Sequence, residues 1–274
     1  MIATLHIQTA LRENITYLKK AYCSTPFKVA DITEDKKVNA LQLMLMSSSP
    51  GILDGDDYQM KIHLDAGCSL HLHTQSYQRL YNMKQGAAQH LEVLMSNGSS
   101  FCFLPHPAVP HGQSHFIASN KICLTDNCSL LFGEILTCGR KLNGEAFLFS
   151  KYHNITEVFI NNKLIIKENL LMQPAGIEVN SIGQLEGFTH QASLIYLHET
   201  ACIKELTAVV HELLAHQKEI IFGVTTAPKN GLIVRILGQR AEQLHLCLKK
   251  IALFLQQASH KNSQFLQSEV KEMM

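Results

Sequence analysis

The chain has 274 residues, 46% hydrophobic and 17% charged, with a formal net charge of +1. That is enough apolar material for a full core, and a balance so near neutral gives no electrostatic reason to expect nucleic acid or an anionic membrane as partner. The start, MIATLHIQTALREN, lacks the basic residues and long apolar stretch of a signal peptide, and no run approaches the ~20 apolar residues of a membrane span, so a cytoplasmic protein is expected. Eight cysteines without a CxxC pair or zinc spacing read as reduced, mostly buried thiols. One domain is expected over 1–258, followed by a polar tail, 259–274, disordered on its own.

Residues 1–46 read as two or three strands, with TPFKVADI (25–32) and VNALQLMLM (38–46) separated by a charged turn. The loop SSSPGILDGDDY (47–58) carries Asp54, Asp56 and Asp57, a cluster that suits a hard cation and equally an ordinary surface turn. From Tyr58 to Leu64 apolar and polar residues alternate, which predicts a half-buried antiparallel strand. After Ala66-Gly67 the pattern repeats, with Leu70 and Leu72 inward and His71 and His73 outward on one face. Residues 74–87 read as a connecting loop with exposed side chains, among them Tyr77, Tyr81 and Met83. Runs at Leu91–Met95 and Phe101–Leu104 are joined by Asn97-Gly98, a strong hairpin signal. The segment LPHPAVPH (104–111) forms a stiff loop displaying His106 and His111, because its prolines withhold ladder donors.

Two further strands, 116–126 and 128–136, lead into the most informative stretch, 129–168. Its apolar runs Leu130–Leu136, Ala146–Phe149 and Val158–Ile166 are interrupted by Gly139, Asn143-Gly144 and Asn161-Asn162, which predicts adjacent hairpins. Glu134 inside LLFGEIL and Glu145 opening EAFLF fall where such a sheet buries its face. A buried carboxylate has to be paired, protonated or metal-bound, and Arg140 is the nearest cation. Beyond a loop-rich 168–188, SLIYL (193–197) reads as a last central strand. The period then changes. Ile203, Leu206, Val210, Leu213 and Leu214 mark one helix within 198–219, strands follow at 220–225 and 232–237, and Ala241, Leu244, Leu248, Ile251 and Leu255 mark a second helix.

No Walker A, G-x-G-x-x-G, G-x-S-x-G or H-E-x-x-H motif occurs, which removes the usual routes to nucleotide, acyl-transfer or zinc-protease chemistry. SPGILDGDDY, the following His73-Thr74-Gln75, LPHP (104–107), LLFGEILTCGR (130–140) and the Gly-Arg-x-x-x-Gly-Glu of 139–145 resemble the urease accessory protein D family, called protein H in some bacteria. The resemblance covers roughly residues 15–240. It implies a scaffold rather than an enzyme, with a mainly β fold: an elongated β-helix-like stack of many antiparallel or mixed strands and two C-terminal α-helices. It further implies accessory proteins F and G, the latter a GTPase, and apo-urease as partners, with no cofactor tightly bound and nickel in transit through an internal tunnel. On this reading Asp56, Glu134, Glu145 and Glu168 line a weakly binding nickel path, because carboxylates and water release Ni²⁺ where several imidazoles or thiolates would trap it. Arg140 is assigned to holding the fold, and Tyr77, Tyr81, Met83 and the helix at 241–257 to contact with protein F. The rival reading is a metal-dependent enzyme using His71, His73 and His106 or His111 as a facial triad.

Overall fold

The computed structural model describes residues 1–272, with side chains through Ala258. The chain opens with β1 (Ile2–Arg12), β2 (Ile15–Cys23), β3 (Phe27–Asp31) and β4 (Leu41–Ser47). From there it winds between two layers through β5 (Asp57–Leu64), β6 (Ser69–Thr74), the short β7 (Gln78–Leu80), β8 (Ala87–Met95), β9 (Ser100–Phe103), the short β10 (Ala108–Pro110), β11 (His115–Leu124), β12 (Ser129–Thr137) and β13 (Lys151–Ile160). It ends with β14 (Lys163–Met172), β15 (His190–His198), helix α1 (Ile203–Ala215), β16 (Ile220–Ala227), β17 (Gly231–Gly238) and helix α2 (Ala241–Glu272). The expected tail, 259–274, lies outside the residues whose side chains are described.

Two mixed sheets result. The first has the order β14-β13-β11-β8-β5-β1-β2, and the second runs β16-β17-β15-β12-β9-β6-β4-β3, with β7 and β10 attached to it. Within the first, β1, β5, β8, β11 and β13 are all parallel neighbours. Within the second, β4, β6, β9 and β12 are likewise parallel. Each turn of the chain therefore adds one strand to each sheet.

This corrects the expected hairpins. The strand at 57–64 pairs parallel, not antiparallel, with both its neighbours. Asn97-Gly98 joins β8 to β9, which lie in different sheets, so it is a corner. Gly67, Gly98 and Asn127 all adopt positive φ at successive corners, and Gly67 N–H bonds Asn97 O while Gly98 N–H bonds Asp126 O, stacking one corner on the next. Asn161-Asn162 does form a hairpin, between β13 and β14. Ala146–Phe149 is not a strand: a 3-10 turn at Lys141–Asn143 and irregular chain occupy that segment.

The alternation of β12, β15 and β17 sorts their side chains between two cores, while the first sheet buries one face only. Tyr58, Met60, Ile62 and Leu64 of β5 join Leu130, Phe132 and Leu136 of β12 between the sheets. Leu131 and Ile135 point the other way, onto a second core with Val210 of α1 and Leu244, Leu248, Ile251 and Leu255 of α2. Strand β12 is thus apolar on both faces, which is why LLFGEIL reads as a nearly continuous hydrophobic run. The layers are sheet, sheet, helices.

Candidate functional site

The inter-sheet core is interrupted by a band of polar side chains whose alignment follows from strand register. In the first sheet Asn120 of β11 lies opposite Thr156 of β13, which lies opposite Glu168 of β14. In the second, Glu134 of β12 lies opposite Ser193 of β15, which lies opposite Arg235 of β17. The two rows face each other and are bonded across the gap. Glu134 Oε1 accepts from Asn120 Nδ2 at 3.1 Å and Asn154 Nδ2 at 2.5 Å, and Oε2 accepts from Thr156 Oγ1 at 3.4 Å. Asn120 Nδ2 also donates to Asn154 Oδ1 at 3.0 Å and Thr156 Oγ1 at 2.8 Å. At the far end Arg235 Nη2 donates to Glu168 Oε2 at 2.6 Å.

Burial raises the Glu134 carboxyl above its ordinary value, and the nearby charge of Glu168 pushes the same way; the three donors only partly offset them. The neighbouring Tyr152 phenol is raised by burial and by the Glu134 charge. Space accompanies the polarity. Glu134 and Tyr152 border a cavity of about 150 Å³ that reaches out to Pro50, Tyr77 and His106. Both also border a second, of about 30 Å³, shared with Asn154, Glu168, Gln191 and Ser193 and roomy enough for a single water. Glu168 and Gln191 border in turn an outer recess of about 440 Å³ beside Phe222, Gly223 and Arg235. Polar groups therefore follow a line of spaces through the inter-sheet layer.

The other acidic residues singled out from sequence lie elsewhere. Asp56 is buried at the end of its loop, accepting from Leu53 N–H at 2.9 Å and the Met1 amino group at 3.2 Å. It borders neither cavity at Glu134, although Tyr58, whose phenol burial and the Asp56 charge push up to about 12, lines the larger one. Glu145 takes two N–H bonds from Arg140, Nε at 2.9 Å and Nη2, plus Gly112 N–H at 3.2 Å. This explains Gly-Arg-x-x-x-Gly-Glu. Gly139 has a φ of +115° and a Cβ there would lie 2.7 Å from Pro110 O, Gly144 caps the 3-10 turn in the left-handed region, and the Arg–Glu fork closes the loop. Arg140→Met should lower the melting temperature by a few degrees, and Arg140→Lys by less because the planar fork is lost but the charge kept. Thermal melts of both variants check this; an unaltered Arg140→Met would remove the assignment.

The facial-triad reading fails on geometry. His71 faces Gln256 of α2, 3.4 Å away. His106 bonds Thr74 Oγ1 at 2.9 Å and packs edge-on against His245 of α2, while His111 packs at a tilt against Tyr81 beside Arg140. His73 is partly buried, its ring held below the usual imidazole range by burial and the nearby Lys249. Among the described residues no group of three or more His, Cys, Asp or Glu is arranged to hold a metal. The expected exposed trio is also corrected. Met83 is a core residue, 6% exposed, and Tyr77 and Tyr81 are half-buried, the first donating to Glu242 of α2 at 3.1 Å. Two exposed leucines on α2, Leu246 and Leu253, were not anticipated.

A family model described as UreD urease accessory protein matches residues 1–268. The chain belongs to this family. It is 49% identical over 252 residues to the urease accessory protein UreD of Flavobacterium johnsoniae, covering 92% of this chain and 91% of that protein. The UreD of Acetivibrio thermocellus is 32% identical over 248 residues, covering 90% and 94% respectively. That of Actinobacillus pleuropneumoniae serotype 3 is 34% identical over 252 residues, covering 89% and 93%. The UreD assignment makes this an accessory protein of urease maturation and not an enzyme. No helix among the described residues is long and apolar enough to cross a membrane.

For a UreD protein the informative residues beyond Glu134 and Glu168 are Asn120, Asn154, Thr156, Ser193 and Arg235. A signal for one was present: Arg235 stands alone in LIVRIL just as Glu134 stands in LLFGEIL. Their assembly into one band depends on register between strands distant in sequence, and no local pattern carries that.

Proposed function

We propose that this chain is the scaffold of a urease-maturation complex with accessory proteins F and G, and that nickel passes between its two sheets on the way to the apo-urease active site. The observation that carries the reading is the polar band, with Glu134 and Glu168 sharing one small cavity inside an apolar layer. Such a band has a desolvation cost that a purely apolar core avoids, so its retention calls for a use. Its lining is carboxylate, amide and hydroxyl. These hard, mostly neutral oxygens hold Ni²⁺ more loosely than imidazole or thiolate, which suits passage rather than storage. Asp56, near Tyr58 at the edge of the larger cavity, is placed in this proposal at the outer approach. Glu145, committed to Arg140, has a structural part.

Docking of protein F is assigned to the surface around Tyr77, Tyr81 and the outer face of α2. Leu246 and Leu253 lie seven residues apart on one helical face at 48% and 58% exposure, apolar area of the kind that marks interfaces. Tyr81→Asp and Leu253→Asp, made separately, should each abolish co-purification with protein F; the exposed Leu253→Asp should leave the melting temperature within a degree or so, since surface changes seldom move stability, whereas Tyr81→Asp also loses the ring packed on His111 and should lower it. Retention of protein F by both variants would move the docking face elsewhere. The overall reading is tested by co-purifying the chain with proteins F and G from a reduced extract and measuring urease nickel with and without it. A stable complex and nickel-poor urease in its absence are expected; a chain that ignores both partners overturns the proposal.

A further inference from the structure

The polar band ends on a cation, which is an unexpected terminus for a route that carries cations. Arg235 Nη2 lies 2.6 Å from Glu168 Oε2, with the arginine side chain 62% exposed and the glutamate 21%. The guanidinium is on the outer side: Arg235 borders the recess of about 440 Å³, and Glu168 borders both that recess and the inner cavity of about 30 Å³. Directly across from Arg235 in the edge strand β16 is Gly223, where an added Cβ would meet nothing within 4 Å. The arginine thus has open space beside it, and a side chain this long reaches it by rotamer changes alone.

We propose that Arg235 is a tethered cation that occupies Glu168 at rest and closes the outer end of the band until a divalent metal ion takes its place. The proposal rests on the nickel-path reading above and adds to it a resting state. The pair opens by exchange of one cation for another. An ion pair so open to water is held weakly enough for that exchange, whereas the same pair sealed in the core would not part. With the arginine displaced, Glu168 and Glu134 face the small cavity together, alongside oxygens of Asn154, Gln191 and Ser193. That is a hard-oxygen set suited to a divalent ion in transit. While Arg235 remains in place it also repels an approaching dication from the recess, so the outer mouth conducts only after the exchange.

The test is a titration of the purified full-length chain with nickel chloride alone. Four forms are compared: parent, Arg235→Gln, Arg235→Lys, and the double variant Arg235→Gln with Glu168→Gln. Removing the tethered cation should tighten nickel binding by roughly tenfold, the lysine form should match the parent, and the double variant should lose the gain. The double variant also separates this site from the surface histidines, which bind nickel equally in all four forms. Equal affinity in parent and Arg235→Gln overturns the proposal, as does a gain that survives Glu168→Gln. Should Arg235→Gln unfold, Arg235→Met replaces it with the same expectations. The readout needs no urease. A nickel gain in Arg235→Gln beside normal urease activation by Glu134→Gln would therefore sink the path while keeping the tethered cation, and the opposite pair of results would keep the path and sink the arginine's part.

Discussion

Glu134→Gln should leave urease short of nickel while the protein itself folds as well as the parent or better. The amide is isosteric, and its oxygen can accept from Asn120 and Asn154 as Oε1 does now, while its N–H₂ can donate to Thr156 Oγ1. Besides the charge, only the long 3.4 Å bond donated by the Thr156 hydroxyl is lost. If that charge draws Ni²⁺ through the band, activation should fall by roughly tenfold, equivalent to about 1.4 kcal/mol on the transfer step. The stability effect has a definite sign. Burial raises the folded carboxyl above the ordinary value of 4.5, so the folded state favours the protonated form. The resulting stabilisation is fully present below that ordinary value and is lost as pH rises through the raised one. The glutamine variant has no such loss. Its melting temperature relative to the parent should therefore rise across that window and level off above it, which melts at a series of pH values will measure. Normal urease activation by a variant that still forms the complex would make Glu134 a structural residue.

Gly133→Val, one residue away on the same strand, should do the reverse: destabilise the fold with no direct effect on the band. Glu134 faces the first sheet, and Gly133 faces α2. A Cβ at Gly133 would sit 2.5 Å from Leu104 Cδ2, 3.2 Å from Leu248 Cδ1 and 3.3 Å from Ser193 O. The leucine tips can yield to one methyl, but valine adds two more in a layer where Leu248 is already fully buried. The cost expected is about 3 kcal/mol, the upper part of the range for overpacking, and Gly133→Ala should cost less. Denaturant unfolding at an unchanged m-value gives the measurement. A valine variant as stable as the parent would mean that α2 does not press on β12 as described.

The same two neighbours show what was and was not legible. Glu134 was visible because a lone charge in a strand apolar on both faces is a local anomaly. Gly133 carries no such local signal, since its reason is Leu104 and a helix more than a hundred residues later in the chain. The β content and the late switch to helical spacing at Ile203 and Ala241 were readable from periodicity alone. Strand direction was not: alternation with period two looks the same in parallel and antiparallel sheets, and Asn97-Gly98 suits a corner between sheets as well as a hairpin. Met83 misled because a segment without regular period was taken as surface, whereas irregular chain here turns an apolar side chain into the core. Arg140 was legible only as the cation nearest to Glu134 and Glu145, and the folded loop shows that it is Glu145 it holds.

The parallel coil has one more consequence. A stack in which each turn pairs with the next has no intrinsic length, and an uncapped end is a template for another copy of itself. This chain terminates its stack on purpose. In the first sheet the parallel strands β1 to β13 are bounded by antiparallel β2 and β14, and both boundary strands carry lysines, Lys19 and Lys20 on one and Lys163 and Lys167 on the other. In the second, antiparallel β3 bounds one side, and β15, β17 and β16 reverse direction on the other before α1 packs over β16. What the reversals and the lysines achieve is finiteness: the parallel repeat ends in strands of the other direction, and their charged edges oppose its extension strand by strand.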